Sequence, residues 1–252
     1  MAAAYDTYDY LSYWLGRGYE HRSEVYAIRE FLSKIKKVKT ILEIGAGFGR
    51  LVPSYSFRAK KVIISDPSSK LLKIARGTYK DRKKYKFIHS SLENLSQKLK
   101  PKSVDLAILV RVMHHLTDIN LALHSVRRLL ADYGYLILEF PNKRNLKRTF
   151  KEMFMGNFTY PLDIFPTDLR SPKSLKKKFL PFFNYHPDKV KTLLEEVGFD
   201  VLEVRSVSNM RSGPLKRIFA PDTLLSIERF FQKPLSLLNF GPSIFILARK
   251  RA

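Results

Sequence analysis

The run Ile41-Leu42-Glu43-Ile44-Gly45-Ala46-Gly47-Phe48-Gly49-Arg50 sets three glycines at alternate positions directly after a short apolar stretch. Glycines so spaced let the backbone turn tightly and approach a ligand closely. A helix starting behind them offers unpaired N–H groups and positive potential, which suits a nucleotide-like ligand. A dinucleotide fingerprint needs its third glycine three places after the second, at position 50, and that residue is Arg. A second apolar run, Val62-Ile63-Ile64-Ser65-Asp66-Pro67, ends in a carboxylate 21 residues after Gly45. At the tip of a neighbouring strand, Asp66 can accept two hydrogen bonds from a ribose diol; on its own it would read as a helix N-cap.

Acid–base chemistry would fall to histidine. His114 and His115 follow the apolar run Val104–Val110, and His186 lies in Phe182-Phe183-Asn184-Tyr185-His186-Pro187. A neutral imidazole there is placed to take a proton near neutral pH, but histidines after a strand also pack or cap helices, and both readings stay open. His21, His89 and His124 have no carboxylates at metal-ligand spacing, so no metal is expected. The absence of cysteine excludes disulfide partners, iron–sulfur clusters, thiolate metal sites and a cysteine nucleophile.

These residues require a scaffold of alternating strands and helices. Strands are expected at Thr40–Ile44, Lys61–Ser65, Tyr85–His89, Val104–Val110 and Tyr135–Phe140. Helices are expected at Leu51–Phe57, Ser69–Thr78, Leu92–Leu99 and Asp118–Ala131, the last with Asp118 as N-cap and Gly134 just past its end. This is the pattern of a doubly wound, mostly parallel α/β sheet. Ser23–Ile35 reads as an amphipathic helix preceded by an aromatic segment, Tyr5–Trp14. After Phe140 regularity lapses from Pro141 to Pro187, save a short helix near Lys147–Met155. Order returns with a helix at Pro187–Val197 and strands at Val201–Val207 and Ser243–Arg249, separated by an apolar helix, Pro221–Leu238, broken at Pro234. A cap of residues 1–36 is therefore expected before a domain of residues 37–252, with insertions 141–187 and 208–241 as a cover.

The 252 residues include 45% hydrophobic and 27% charged residues, which excludes disordered and collagen-like chains. Net charge is +23, shared by both halves of the chain and by runs such as Lys34–Lys37, Lys80–Lys84 and Lys176–Lys178. Such a surface attracts phosphates, anionic lipid or acidic ligands; alternatively it is a solvated basic face. Met1–Asp6 has no basic or apolar leader pattern and the apolar runs are too short to span a bilayer, so a cytoplasmic protein is expected.

The glycine turn with Glu43 two places before it, together with Asp66, resembles the class I S-adenosylmethionine-dependent methyltransferases over residues 38–140 and the last two strands. The segment Val104–Leu116 is similar to their small-molecule branch, the ubiquinone and menaquinone biosynthesis type. The resemblance implies a seven-stranded Rossmann-like sheet with an antiparallel last strand and S-adenosylmethionine as cofactor. It places the cofactor against Glu43, Gly45, Ala46, Gly47, Gly49, Asp66, Pro67, Ser91, Leu92, Val110 and Arg111, Ser91 standing where the family often has Asp beside the adenine. Tyr13, Trp14, Arg17, Asn184 and Tyr185 would meet the acceptor, with Arg17, Arg111 and Arg211 available for an anionic group. His114, His115 and His186 are the candidate catalytic residues.

The acceptor implied is a small molecule. An RNA acceptor is suggested by the charge but opposed by the missing Asn/Asp-Pro-Pro-aromatic clamp after strand four. A lipid-like acceptor at a membrane surface would use Pro221–Leu238 with Arg217, Arg229 and Lys233. A binding protein without turnover is opposed by the intact Glu43, glycines and Asp66.

Overall fold

The computed structural model describes residues 6, 9–36, 38–176 and 180–252. Of the residues read above, Tyr5, Thr7 and Tyr8 in the aromatic segment and Lys37, Lys177 and Lys178 in the basic runs lie outside these.

Helix α1 (Gly18–Lys34) leads into β1 (Thr40–Ile44), α2 (Val52–Tyr55), β2 (Lys61–Asp66), α3 (Ser69–Thr78), β3 (Tyr85–His89), α4 (Leu92–Lys98), β4 (Val104–Leu109), α5 (Ile119–Leu129) and β5 (Leu130–Pro141). Next come α6 (Leu146–Phe154), β6 (Thr167–Asp168), α7 (Pro172–Lys176), β7 (Phe183–Asn184) and α8 (Pro187–Glu196). The chain finishes with β8 (Phe199–Val207), α9 (Gly213–Ile218), α10 (Pro221–Phe231) and β9 (Ser243–Lys250). Seven strands form one sheet in the order β3-β2-β1-β4-β5-β9-β8. Pairings from β3 to β5 are parallel, and β9 runs antiparallel to both β5 and β8. The expected Rossmann-like sheet with its antiparallel last strand is therefore present.

Helices cover both faces, which is why the central strands are continuous apolar runs. One face packs Leu95, Leu123, Val126, Val190 and Leu194 against Leu42, Leu136 and Ile246. The other packs Ile28, Phe31, Val52, Leu72 and Ala75 against Ile41, Ile64 and Phe245. Chain order leaves β1 in opposite directions, toward β2 on one side and β4 on the other, and such a switch point opens a crevice at the carboxyl ends of the strands.

Three expectations about elements are corrected. The helix after Asp118 stops at Leu129 and Leu130 opens β5, so Gly134 lies inside a strand. A Cβ there would stand 2.8 Å from the Ala131 carbonyl oxygen, so close backbone approach, not capping, requires that glycine. The segment 141–187 is structured, with two helices, a 3₁₀ turn at Tyr160–Leu162 and the antiparallel pair β6–β7. It is tied to the chain just before β9 by Asn142, whose Nδ2 donates to the carbonyls of Asn239 and Gly241, and is braced internally by buried Lys143, whose Nζ donates to the Phe165 carbonyl and pairs with Asp163 at 2.7 Å. The apolar helix at 221 ends at Phe231, ahead of Pro234, and its inner side buries Leu224, Leu225 and Glu228. Among the described residues no helix is long and apolar enough to cross a membrane.

Candidate active site at the carboxyl edge of the sheet

The glycine turn leaves β1 at Ile44. Gly45 has φ +70°, and a Cβ on it would stand 2.3 Å from Cγ2 of Val112, so the close approach of the chain after β4 requires glycine. Gly47 has φ +57°, and its N–H donates to Oδ2 of Asp66 at 2.7 Å. Oδ1 of Asp66 accepts from the Ser68 N–H, also at 2.7 Å. The carboxylate at the tip of β2 thus clamps the glycine turn to the start of α3. Burial pushes the Asp66 carboxyl above its ordinary range, and these two N–H donors oppose the shift.

A cavity of about 290 Å³ opens there, lined by Gly45, Gly47, Asp66, Pro67, Ser91, Leu92, Glu93, Arg111, Val112, His115, Leu116 and Leu180, with Tyr10 over the glycines. A Cβ on Gly47 would stand 3.4 Å from the Tyr10 ring. Carboxylate oxygens, turn backbone, a serine and apolar walls suit a nucleoside-like ligand.

Other predicted cofactor residues stand behind this wall. Glu43 is buried, accepts from the Tyr55 hydroxyl at 2.5 Å and does not line the cavity; burial raises its carboxyl to about 7. Ala46 donates its N–H to the Ser65 carbonyl, and the Gly49 carbonyl accepts from the Tyr79 hydroxyl at 2.8 Å. Val110 is packed in the core. These four shape the turn from behind.

Within the described part of the aromatic segment, Tyr10 lies across the turn, against Gly47 and Phe48. Tyr10 stacks on Tyr13 with ring centroids 5.9 Å apart, and the Arg50 guanidinium sits 3.5 Å from the Trp14 ring centroid. Below it lies Glu24 of α1, a residue that no motif singles out. Its carboxylate is buried between Arg50, at 2.5 Å, and Arg111, at 2.6 Å. Burial would raise the Glu24 pKa, but the two guanidiniums hold it below the ordinary value. Arg111 has φ +60° and donates its backbone N–H to Glu139 at 2.7 Å. Its guanidinium is engaged by Glu24 and by the Tyr13 hydroxyl, so at the cavity it acts first as a strut. Arg17 stacks on Tyr13 at 4.1 Å, and Arg211 is exposed.

The three candidate histidines separate. His115 lines the cavity, and its Nδ1 lies 2.7 Å from the Pro181 carbonyl oxygen, which assigns the proton to Nδ1 and leaves Nε2 as the basic nitrogen. Burial lowers its pKa below the ordinary 6.5. His114 is buried beside it, with ring centroids 3.9 Å from His115 and 4.6 Å from Phe182, and is not part of the cavity wall. Burial and the neighbouring His115 hold it well below 6.5. His186 stands apart: its Nδ1 accepts the Asp188 N–H at the start of α8, and Nε2 lies 3.1 Å from the Pro161 carbonyl oxygen. Tyr185 is likewise structural, its hydroxyl 3.2 Å from the carbonyls of both Met113 and Leu116, and Asn184 is buried in β7. Both Tyr185 and His186 line a second groove with Phe165 and Phe183, separate from the cavity. Glu24, Val112 and Leu180 are among the residues that sequence reasoning missed, whereas Tyr10 belongs to the aromatic segment read as part of the cap. No cluster of three or more His, Asp or Glu suited to a metal occurs among the described residues.

Comparison with known proteins agrees with this geometry. Residues 42–138 match a family model described as a methyltransferase domain. No curated protein matches the sequence. Among solved structures, an S-adenosylmethionine-dependent methyltransferase from Archaeoglobus fulgidus is similar, with a TM-score of 0.58 and 19% identity over 96% of this chain and 100% of that one. Another from Mesorhizobium loti has a TM-score of 0.59 and 17% identity, covering 89% of this chain and 96% of its own. The matched span includes the glycine turn, Asp66 and the strands that carry them; over it the chain is similar to methyltransferase domains, and its fold is that of the solved methyltransferases.

Proposed function

We propose that the protein methylates a small-molecule acceptor that enters between the glycine turn and the cover formed by residues 141–187. One observation carries this reading. Asp66 and Gly47 line one cavity together with His115, Leu116 and Leu180. A space of about 290 Å³ with mostly apolar lining accommodates part of a small acceptor beside a nucleoside.

S-adenosylmethionine supplies a methyl group on a sulfonium, open to in-line displacement by a nucleophile. The chain's contribution is then mostly positioning and exclusion of water. In this reading Asp66 orients the ribose, Ser91 and Leu92 bracket the base, and Tyr10 closes over the turn. His115, neutral at pH 7 because burial lowers its pKa, takes the acceptor's proton at Nε2. His114 holds the His115 ring in place by packing.

Incubation with methyl-labelled S-adenosylmethionine and either a small-molecule extract or total RNA tests the proposal. Label should enter the small-molecule fraction and depend on His115. Label confined to RNA would overturn it.

A further inference from the structure

The cover has an outer surface that the active site does not use. Helix α6 buries none of its residues. Arg148 pairs with Glu152 one turn further along the same helix and lies 5.7 Å from the Tyr160 ring centroid. The outer side carries Phe150 and Phe154, four residues apart and therefore on one stripe, with exposed Lys147 and Lys151 beside them. Phe154 is 95% exposed and Phe150 62%; in the chain that follows, Phe158 is 71% and Phe165 73% exposed. Scattered apolar side chains at a surface need no account, but four phenylalanines within residues 150–165 mark a surface made for contact.

The flanking charge identifies the occupant. Residues 141–176 hold eight Lys and Arg against three Asp and Glu, within a chain of net charge +23. An amphipathic helix with aromatic residues on one stripe and lysines at its margin matches a bilayer interface. There the rings lie among the upper acyl chains and the lysine stems reach back to lipid phosphates. We propose that α6 and the segment to Phe165 dock the protein on the surface of an anionic bilayer, through Phe150, Phe154, Lys147 and Lys151. This surface is separate from the exposed basic groove along β2 and β3, at Lys61, Arg82, Lys83 and Lys84. The inference does not depend on the acceptor assigned above.

Vesicle co-sedimentation of the full chain tests it, with vesicles of phosphatidylcholine alone and of equal parts phosphatidylcholine and phosphatidylglycerol. The protein should pellet with the mixed vesicles and bind the neutral ones at least about tenfold more weakly. Phe150→Ser with Phe154→Ser should weaken binding to mixed vesicles by roughly tenfold or more, since two aromatic groups no longer leave water, while affinity for S-adenosylhomocysteine stays unchanged. Phe154→Trp provides a second readout, its emission moving to the blue on adding mixed vesicles. Lys83→Glu with Lys84→Glu should weaken binding less than the phenylalanine pair. The proposal is overturned if the wild type stays in the supernatant, if the serine variant binds as tightly as the wild type, or if the phenylalanines are needed only for self-association seen by analytical ultracentrifugation.

Discussion

Glu43 is buried behind the glycine turn and His115 half-buried at the cavity, and desolvation moves them in opposite directions because it disfavours the charged form of each. For Glu43 the folded value of about 7 lies above the ordinary 4.5, so folding favours the protonated acid. That contribution is complete below about pH 4.5 and is lost as pH rises through 7; its full size is roughly 3 kcal/mol. Glu43→Gln keeps an acceptor for Tyr55 and cannot ionise. Urea midpoints for the wild type should therefore fall between about pH 5 and pH 8 by more than those of the variant, and parallel curves would refute the burial argument. For His115 the folded value lies below 6.5, so the base form is already present at neutral pH. Turnover should rise with pH through a midpoint below 6.5 and then level off. His115→Ala should lower turnover by about 10²–10⁴-fold, typical of a lost general base, while leaving affinity for S-adenosylhomocysteine within a few-fold. Equal loss of both would make His115 part of the cofactor wall.

Among the elements, the strand–turn–helix around Gly45 was legible because its demands are local. A buried strand, a turn with positive φ and a carboxylate at the next strand tip each leave a residue-type signature. The match of β1, β2 and β4 to their predicted spans follows from both faces of those strands being covered, while the edge strand β3 buries only Ile88 fully. Glu24 was hidden for the opposite reason. It lies on a helix well before the turn, and only the folded chain brings it between Arg50 and Arg111. Leu180 likewise reaches the cavity through tertiary placement. Tyr185 and His186 looked chemical because aromatic and histidine residues before a proline suit a site, yet their partners are backbone carbonyls and a helix end. The turn itself gives a sharp test. Gly45→Ala should cost about 1–2 kcal/mol from the left-handed backbone plus the clash with Val112, lowering the melting temperature and cofactor affinity. Adding Val112→Ala should recover part of that loss. A double variant no better than Gly45→Ala alone would mean that the methyl contact is not the reason for glycine.

At the scale of the whole molecule, the described residues form a crevice at the carboxyl ends of the strands and carry basic surfaces elsewhere, over residues 141–176 and along β2 and β3. The net charge of +23 therefore need not act at the active site. If it does not, kcat/KM for a small acceptor should stay nearly flat between low and moderate salt. An RNA acceptor neutralising several phosphates would lose affinity steeply over the same range. The central claim is that the space between Gly47, Asp66 and His115 holds the adenosyl group, and calorimetric titration of the wild type and Asp66→Ala with S-adenosylhomocysteine tests it most directly. The wild type should bind in the micromolar range and should not bind NAD. Loss of a charged acceptor from a partly buried site costs about 1.5–3 kcal/mol, so Asp66→Ala should bind roughly ten- to a hundredfold more weakly. An unchanged dissociation constant in a folded Asp66→Ala variant, or binding of NAD in place of S-adenosylhomocysteine, would contradict the account.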